Sequence, residues 1–178
     1  YWDTMIGLKK ISSSDVRQVI KRNSWLSGTT YDMYRGDITR TNTSKPSGAT
    51  SLYGANYFVV NEDYRVYICL NNGTNPENPN GKSSLDQPTF VDLEPKSAGD
   101  SGDGYIWKYL YTIKPNDLVK FDSTNFIPVP QDWDTSTETA AVRDNAATSG
   151  QIKVVTVTNR GVGLGTANRT YSDVPIEG

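Results

Sequence analysis

The chain has 178 residues, enough for one domain, and its net charge of −2 without a Lys or Arg cluster argues against a nucleic-acid-binding protein. It contains no His and a single Cys, Cys69, which excludes Ser-His-Asp and Cys-His catalytic sites, His-based or structural zinc sites, and an internal disulfide. With 5 Glu and 8 Ala against 19 Thr and 15 Gly, the composition lacks helix formers and favours a mainly β, loop-rich protein.

A helix is the first element that the sequence predicts. After an extended lead-in, the Ser-Ser-Ser-Asp run of residues 12–15 is typical of a helix start, because these side chains accept hydrogen bonds from the first free N–H groups. Val16, Val19 and Ile20 then recur at the i, i+3, i+4 spacing of one helix face. The pattern predicts a short helix over residues 14–22.

Two loop stretches follow this helix. Residues 23–37 combine the rings of Trp25, Tyr31 and Tyr34 with many Gly, Ser, Thr and Asp residues, which indicates an ordered loop packed by its own side chains. Residues 38–54 are polar and weakly patterned, and a loop of this length is expected to be functional or mobile.

Residues 57–70 are predicted to form a β-hairpin. Apolar residues 57–60 form its first strand, the polar residues 61–63 form its turn, and alternating residues 64–70 form its second strand. Cys69 is expected to be a buried strand residue. The alternation divides the second strand into one face with Tyr64, Val66, Ile68 and Leu70 and another with Arg65, Tyr67 and Cys69.

The strongest strand pattern of the chain lies at residues 105–113. Two loops, 71–88 and 95–104, precede it, with a short edge strand predicted between them at 89–93. Alternation places one set of large side chains on a single face of the strong strand: Tyr105, Trp107, Tyr109, Tyr111 and Ile113.

The remaining chain alternates short elements and polar stretches. Asn116 can cap a short helical turn, and residues 126–130 are expected to be extended because each Pro biases the preceding residue that way. We expect a fragment of a larger multidomain protein. Its predicted organisation is a β-rich domain at 1–133, a linker at 134–150 and a further β segment at 151–178, which includes a strand at 151–158.

Two glycine-rich motifs fit a turn better than a ligand site. The GVGLG motif at 161–165 follows a predicted strand but precedes no helix, which a phosphate-binding loop requires. The DSGDG motif at 100–104 lacks the alternating acids and the distal Glu of a calcium loop. We therefore predict no metal, no cofactor and no catalytic residues, and no apolar run approaches the roughly 20 residues of a membrane span.

Four motifs resemble one known family. They are DVRQVIKRNSW at 15–25 with GTTYDMY at 28–34, YRVYICLNN at 64–72, DGYIWKYLYTI at 103–113 and FIPVP at 126–130. In this order they resemble the central region of the T4-like phage baseplate wedge protein family, the gene product eight family. The resemblance covers roughly residues 1–133, and DGYIWKYLYTI is its most specific motif.

The resemblance implies a virion structural protein of a myovirus-like phage tail. A protein of this family is expected to be largely β, to form a homodimer in its full-length form and to bind other baseplate wedge proteins. It is expected in the phage tail baseplate, assembled in the host cytoplasm, and it is not expected to catalyse a reaction.

Three functions compete on the sequence. The first is a structural protein that acts through protein–protein contacts. The second is a carbohydrate-binding module of a phage tail or receptor-binding protein, since exposed rings stack on sugars. The third is a glycan-cleaving enzyme with paired carboxylates. The aromatic residues separate the first two, because buried rings weaken the carbohydrate hypothesis. The candidate partner contacts are Trp25, Tyr31, Tyr34, Tyr53 and Phe90, and the candidate core anchors are Trp107, Tyr109, Val66 and Ile68.

Overall fold

The computed structural model describes residues 2–131 and 133–147, together with residues 152, 154 and 155. Within these residues the chain forms two antiparallel sheets and two α-helices joined by long loops, a sheet-dominated α+β fold of the predicted class. In chain order the elements are β1 Val19–Lys21, β2 Phe58–Val60, β3 Arg65–Asn72, β4 Tyr105–Thr112, α1 Pro115–Phe121, β5 Phe126–Pro128 and α2 Thr137–Ala146.

The larger sheet has the strand order β2-β3-β4, with each neighbouring pair antiparallel. β2 and β3 are the predicted hairpin, with Val60 opposite Val66, and β4 is the predicted aromatic strand. Both predictions are confirmed. The strands form because β-branched and aromatic side chains pack well on a pleated surface, while the polar runs between them favour turns.

A β-bulge divides the side chains of β4 between the two faces of the larger sheet. Where β3 pairs with β4, Leu110 has no residue opposite it. An extra residue reverses the alternation, because a shift by one position moves all following side chains to the other face. The prediction that one face carries all the odd-numbered residues of 105–113 is therefore wrong. Two core clusters share them, with Tyr105 and Trp107 in the first and Tyr111 and Ile113 in the second.

The smaller sheet occupies the place of the predicted helix at 14–22, so that prediction is wrong. The polar run makes only one turn of 3-10 helix, Ser13–Asp15, in which the carboxylate of Asp15 accepts a hydrogen bond from the backbone N–H of Ser12 at 3.0 Å. The apolar residues that follow become β1, which pairs with β5. Their β-branched side chains suit a strand as well as a helix face, and the distant partner strand decides between them.

Two ion pairs attach the β1 segment to α1. The guanidinium of Arg17 lies 2.8 Å from the carboxylate of Asp117, and the guanidinium of Arg22 contacts the carboxylate of Asp122. Both pairs join residues 100 positions apart, and their side chains are largely shielded from water. They link the segment around β1 to α1, which lies about a hundred positions later in the chain.

The two helices differ in how well the sequence predicts them. α1 confirms the predicted helical turn, but Asn116 does not cap it, because the N-cap is Lys114 and Asn116 lies inside the helix. The helix begins with Pro115, whose missing N–H would be free there anyway. α2 lies within residues 134–150, for which the sequence predicts a linker. The structure instead has a helix over most of this stretch. Both apolar burial and polar contacts dock it: Val142 is only 4% exposed, and the ammonium of the buried Lys108 donates to Asn145 Oδ1 and to the Leu93 carbonyl, each at 2.7 Å.

Two further predictions concern the ends of β4 and of the chain. Residues 89–93 form no strand, which corrects the predicted edge strand; Lys96 instead exchanges two backbone hydrogen bonds with Trp107. The expected β segment at 151–178 lies outside the described residues, apart from residues 152, 154 and 155.

Aromatic rings make up much of the core. Of the predicted core anchors, Trp107 and Val66 are fully buried, whereas Tyr109 and Ile68 are half-buried. Trp107 stacks on Tyr105 with 5.3 Å between ring centroids. The first core cluster packs under the loops and the second lies against β5, so the larger sheet is covered on both faces.

Three buried tyrosines are expected to make the fold sensitive to alkaline pH. Burial raises the pKa values of Tyr67, Tyr105 and Tyr111, that of Tyr67 to about 12. The folded chain keeps protons that the unfolded chain loses above about pH 10, so the free energy of unfolding should fall as the pH rises beyond that value.

Thermal unfolding midpoints measured from about pH 8 to pH 11 test this expectation. The midpoint should be level at first and then decline. Tyr67→Phe should reduce the decline, because one of the phenols with a raised pKa is removed. A midpoint that stays constant over this range would contradict the proposed cause.

Candidate interaction surface

Two long loops lie together on one side of the larger sheet. The first loop comprises residues 23–54 and the second loop residues 73–104, between β3 and β4. Their backbones are joined by hydrogen bonds from Gly28 N to Ser84 O and from Ser84 N to Thr29 O, both 2.8 Å. The indole N–H of Trp25 donates to Ser84 Oγ at 3.0 Å. The loops therefore form one continuous surface.

A buried carboxylate clamps the first loop. The side chain of Asp32 is fully buried and accepts hydrogen bonds from the backbone N–H of Ser47 at 3.0 Å and of Asn56 at 2.8 Å. The hydroxyl of Ser47 also donates to it at 2.5 Å. An ionised carboxylate only accepts hydrogen bonds, so it suits three converging donors. The Asp32 carboxylate thus fixes the backbone path of the first loop, which the sequence alone does not predict.

A buried amide at the end of β3 holds the first loop, and a second buried carboxylate clamps the second loop. The amide of Asn72 donates to the Tyr31 carbonyl at 3.0 Å. The carboxylate of Asp103 accepts from the backbone N–H groups of Leu85 and Tyr105, both at 2.9 Å. Asp103 belongs to the DSGDG motif, and here its carboxylate serves the backbone.

The structure distributes the five candidate contact residues over different environments. Tyr53 and Tyr34 present 85% and 43% of their surface to solvent, while Trp25 and Phe90 are half-buried. Tyr31 is only 4% exposed and packs edge-on against Trp107, so its ring is a core residue and its assignment as a partner contact is wrong. Its phenol oxygen accepts a hydrogen bond from Leu26 N at 2.7 Å.

An open hollow of about 290 Å³ separates Trp25 from the β2–β3 turn. The segment before Trp25 reaches the turn through a parallel bridge between Ser24 and Val60. Sequence analysis did not predict this juxtaposition. The lining residues are Arg22, Ser24, Trp25, Val60, Asn61, Glu62 and Tyr64.

A second hollow of about 210 Å³ lies where β4 meets α1, β5 and α2. Its wall includes Tyr109 and Tyr111, and the hydroxyl of Tyr111 donates to the Pro128 carbonyl at 3.2 Å. Its acidic group, Asp117, is held by Arg17. This ion pair links the segment before β1 to α1 and thereby stabilises the fold.

Cys69, the one Cys of the chain, is buried. Burial raises the pKa of the Cys69 thiol well above its usual value, so the group stays a neutral thiol rather than a nucleophilic thiolate. In the described part of the chain, no three acidic or Cys side chains lie close enough to hold a metal ion.

The fold and its loops define a small sheet-dominated α+β domain that presents a clamped loop surface. Comparison with protein-family models, with curated proteins and with solved structures found no match for this chain. Over the described ranges, neither helix has the length and apolar character needed to cross a bilayer.

Proposed function

We propose that this chain is a non-enzymatic structural component that acts through protein–protein contacts of its two loops. The observation that carries the proposal is an exposed ring, that of Tyr53, on a loop held by the buried Asp32 carboxylate. Binding residues commonly lie on loops supported by a rigid scaffold, and Tyr is enriched at interfaces.

The clamps favour protein contact because they order the loops before binding. A loop that is already ordered loses less conformational entropy when it associates, so more of the contact energy remains as affinity. Asp32, Asn72 and Asp103 provide this order through buried hydrogen bonds.

We place this component in the baseplate wedge of a contractile-tailed phage. This assignment depends on the resemblance of the four motifs, above all of residues 103–113. Its partners would be other baseplate wedge proteins, with homodimer formation in the full-length protein, and it would be assembled in the host cytoplasm and reside in the virion.

A carbohydrate-binding module is the second candidate. The exposed ring of Tyr53 could stack on a sugar, as could that of Tyr34. On β4, however, Tyr105, Trp107 and Tyr111 are buried and Tyr109 is half-buried, so the strand with the most rings presents no row of exposed rings. This burial favours the protein-contact hypothesis.

Co-purification with recombinant wedge proteins from the same phage tests the proposal. We expect at least one of them to be retained by the tagged chain, and Tyr53→Ala to weaken its retention. Val119→Ala is the matched control, because this side chain is 89% exposed on α1, outside both loops. Failure of the full-length parent to bind any wedge protein, together with binding or release of host polysaccharide, would contradict the proposal.

A further inference from the structure

The tip of the β2–β3 hairpin carries a tyrosine in a conformation that favours glycine. Tyr64 has a φ of 57°, in the left-handed region that bulky side chains rarely adopt. Its N–H donates to the Asn61 carbonyl at 3.1 Å, closing the turn. Three-residue hairpin loops usually place Gly at this position. The turn alone therefore does not explain the Tyr, and this residue, 37% exposed, lines the hollow.

The second ring of the hollow, that of Trp25, is held in a fixed place. Its indole N–H donates to Ser84 Oγ at 3.0 Å, and its backbone N–H donates to the Val60 carbonyl at 2.9 Å. The backbone of Tyr64 is fixed as well, because its carbonyl accepts from Ile113 N at 2.9 Å. Two aromatic residues thus line one hollow from separate, anchored segments.

Among the charged side chains around this hollow, one carboxylate has no ion-pair partner in the described part of the chain. Arg22 is neutralised by its ion pair with Asp122, and beside the turn Asp63 pairs with Arg65 at 3.1 Å. Glu62 is exposed and makes no ion pair with the described part of the chain. The hollow therefore combines two aromatic residues with one carboxylate, that of Glu62, which has no ion pair among the described residues.

We propose that this hollow, lined by Trp25, Glu62 and Tyr64, binds a basic side chain, a Lys ammonium or an Arg guanidinium, of a partner protein. A cation above an aromatic face is attracted by the ring quadrupole, and a carboxylate adds a charge-assisted hydrogen bond. The inference rests on the proposed function, for which it specifies the chemistry of one partner contact.

A peptide titration tests the chemistry of the site directly. The isotope-labelled chain is titrated with a capped Gly-Lys-Gly peptide and, separately, with the same peptide carrying norleucine in place of Lys. We expect the indole N–H resonance of Trp25 and the amides of Glu62 and Tyr64 to shift with the Lys peptide only. The affinity should fall as salt is added, because an exposed charge contact is screened. Equal shifts with both peptides, or none with either, would overturn the proposal.

Two substitutions separate the site from the fold. Glu62→Gln keeps the shape and should weaken the Lys peptide about tenfold, the value of one charge-assisted hydrogen bond. Tyr64→Gly should abolish the binding without lowering the melting midpoint, because Gly suits the left-handed backbone. Glu77→Gln, at an exposed Glu of the second loop, is the matched control and should bind normally. Native affinity in Glu62→Gln would contradict the proposed role of the carboxylate.

The co-purification experiment distinguishes this inference from the proposed function. Wedge proteins retained by the native chain should be retained less by Glu62→Gln and by Tyr64→Gly. If both variants retain them fully, the inference is wrong and the proposed function stands. If the native chain retains no wedge protein but still binds the Lys peptide, the chemistry of the site stands and the proposed partners are wrong.

Discussion

Replacing Trp107 with Ala is expected to lower the free energy of unfolding by about 3–5 kcal/mol. The ring is fully buried, stacks on Tyr105 at 5.3 Å and lies edge-on to Tyr31 at 5.7 Å between centroids. Its removal would leave a cavity beneath the loops, where the clamped backbone has little freedom to collapse. Chemical denaturation of the purified variant measures the loss.

Two variants control this measurement. Trp107→Phe should cost less than Trp107→Ala, because a ring is retained and the indole N–H makes no hydrogen bond among the described residues. Tyr53→Ala should change the free energy of unfolding by no more than about 0.5 kcal/mol, since an exposed ring is removed. An unchanged unfolding midpoint in Trp107→Ala would show that this ring is not a core anchor.

Replacing Asp32 with Asn is expected to lower the free energy of unfolding by about 2–4 kcal/mol. The two side chains have nearly the same shape, but Asn brings an NH₂ group where Asp32 has an acceptor oxygen. Three donors, from Ser47 and Asn56, converge on this carboxylate. At least one of them would lose its acceptor inside the protein, and a buried donor without a partner is costly.

Hydrogen exchange locates this loss on the first loop. The amide protons of Ser47 and Asn56 should exchange faster in Asp32→Asn, whereas those of β3 should change less. Asp100→Asn, an exposed carboxylate of the second loop, is the matched control and should have little effect on stability. If the Ser47 and Asn56 amides keep native exchange rates in Asp32→Asn, Asp32 is not the clamp of the first loop.

The hairpin and β4 illustrate what local sequence signals can predict. Alternating apolar residues at 57–70 and 105–113, bounded by polar turns, gave strands close to their observed limits. Each signal lies within about ten residues and reflects the two-residue period of a strand. Such a signal is independent of what the strand later pairs with.

The helix predicted at 14–22 failed because its local signals fit two structures. A capping run followed by Val16, Val19 and Ile20 suits a helix, but Val19–Lys21 forms β1 beside β5. The choice depends on a strand more than a hundred positions away. α2 was missed for the opposite reason: its apolar pattern is weak, and its docking depends in part on the buried Lys108.

The residues of the candidate site were likewise predictable from the sequence only in part. Trp25 stood out as an aromatic residue in a loop, whereas Glu62 and Tyr64 appeared only as parts of a hairpin. The single local signal that could have drawn attention to Tyr64 is a bulky residue where a three-residue turn usually has Gly. Its position near Trp25 could not be predicted, because it depends on the bridge between Ser24 and Val60.

By itself, the sequence determined the mainly β class, the hairpin, β4 and the extended segment at β5, because composition and short-range periodicity act on each segment separately. The tertiary structure alone decided three matters: the bulge at Leu110 that divides the rings of β4, the strand at Val19–Lys21, and the clamps of the loops. Each of these depends on pairing or hydrogen bonding between residues far apart in the chain. A strand's register, or the acceptor of a loop amide, exists only once both partners are in place.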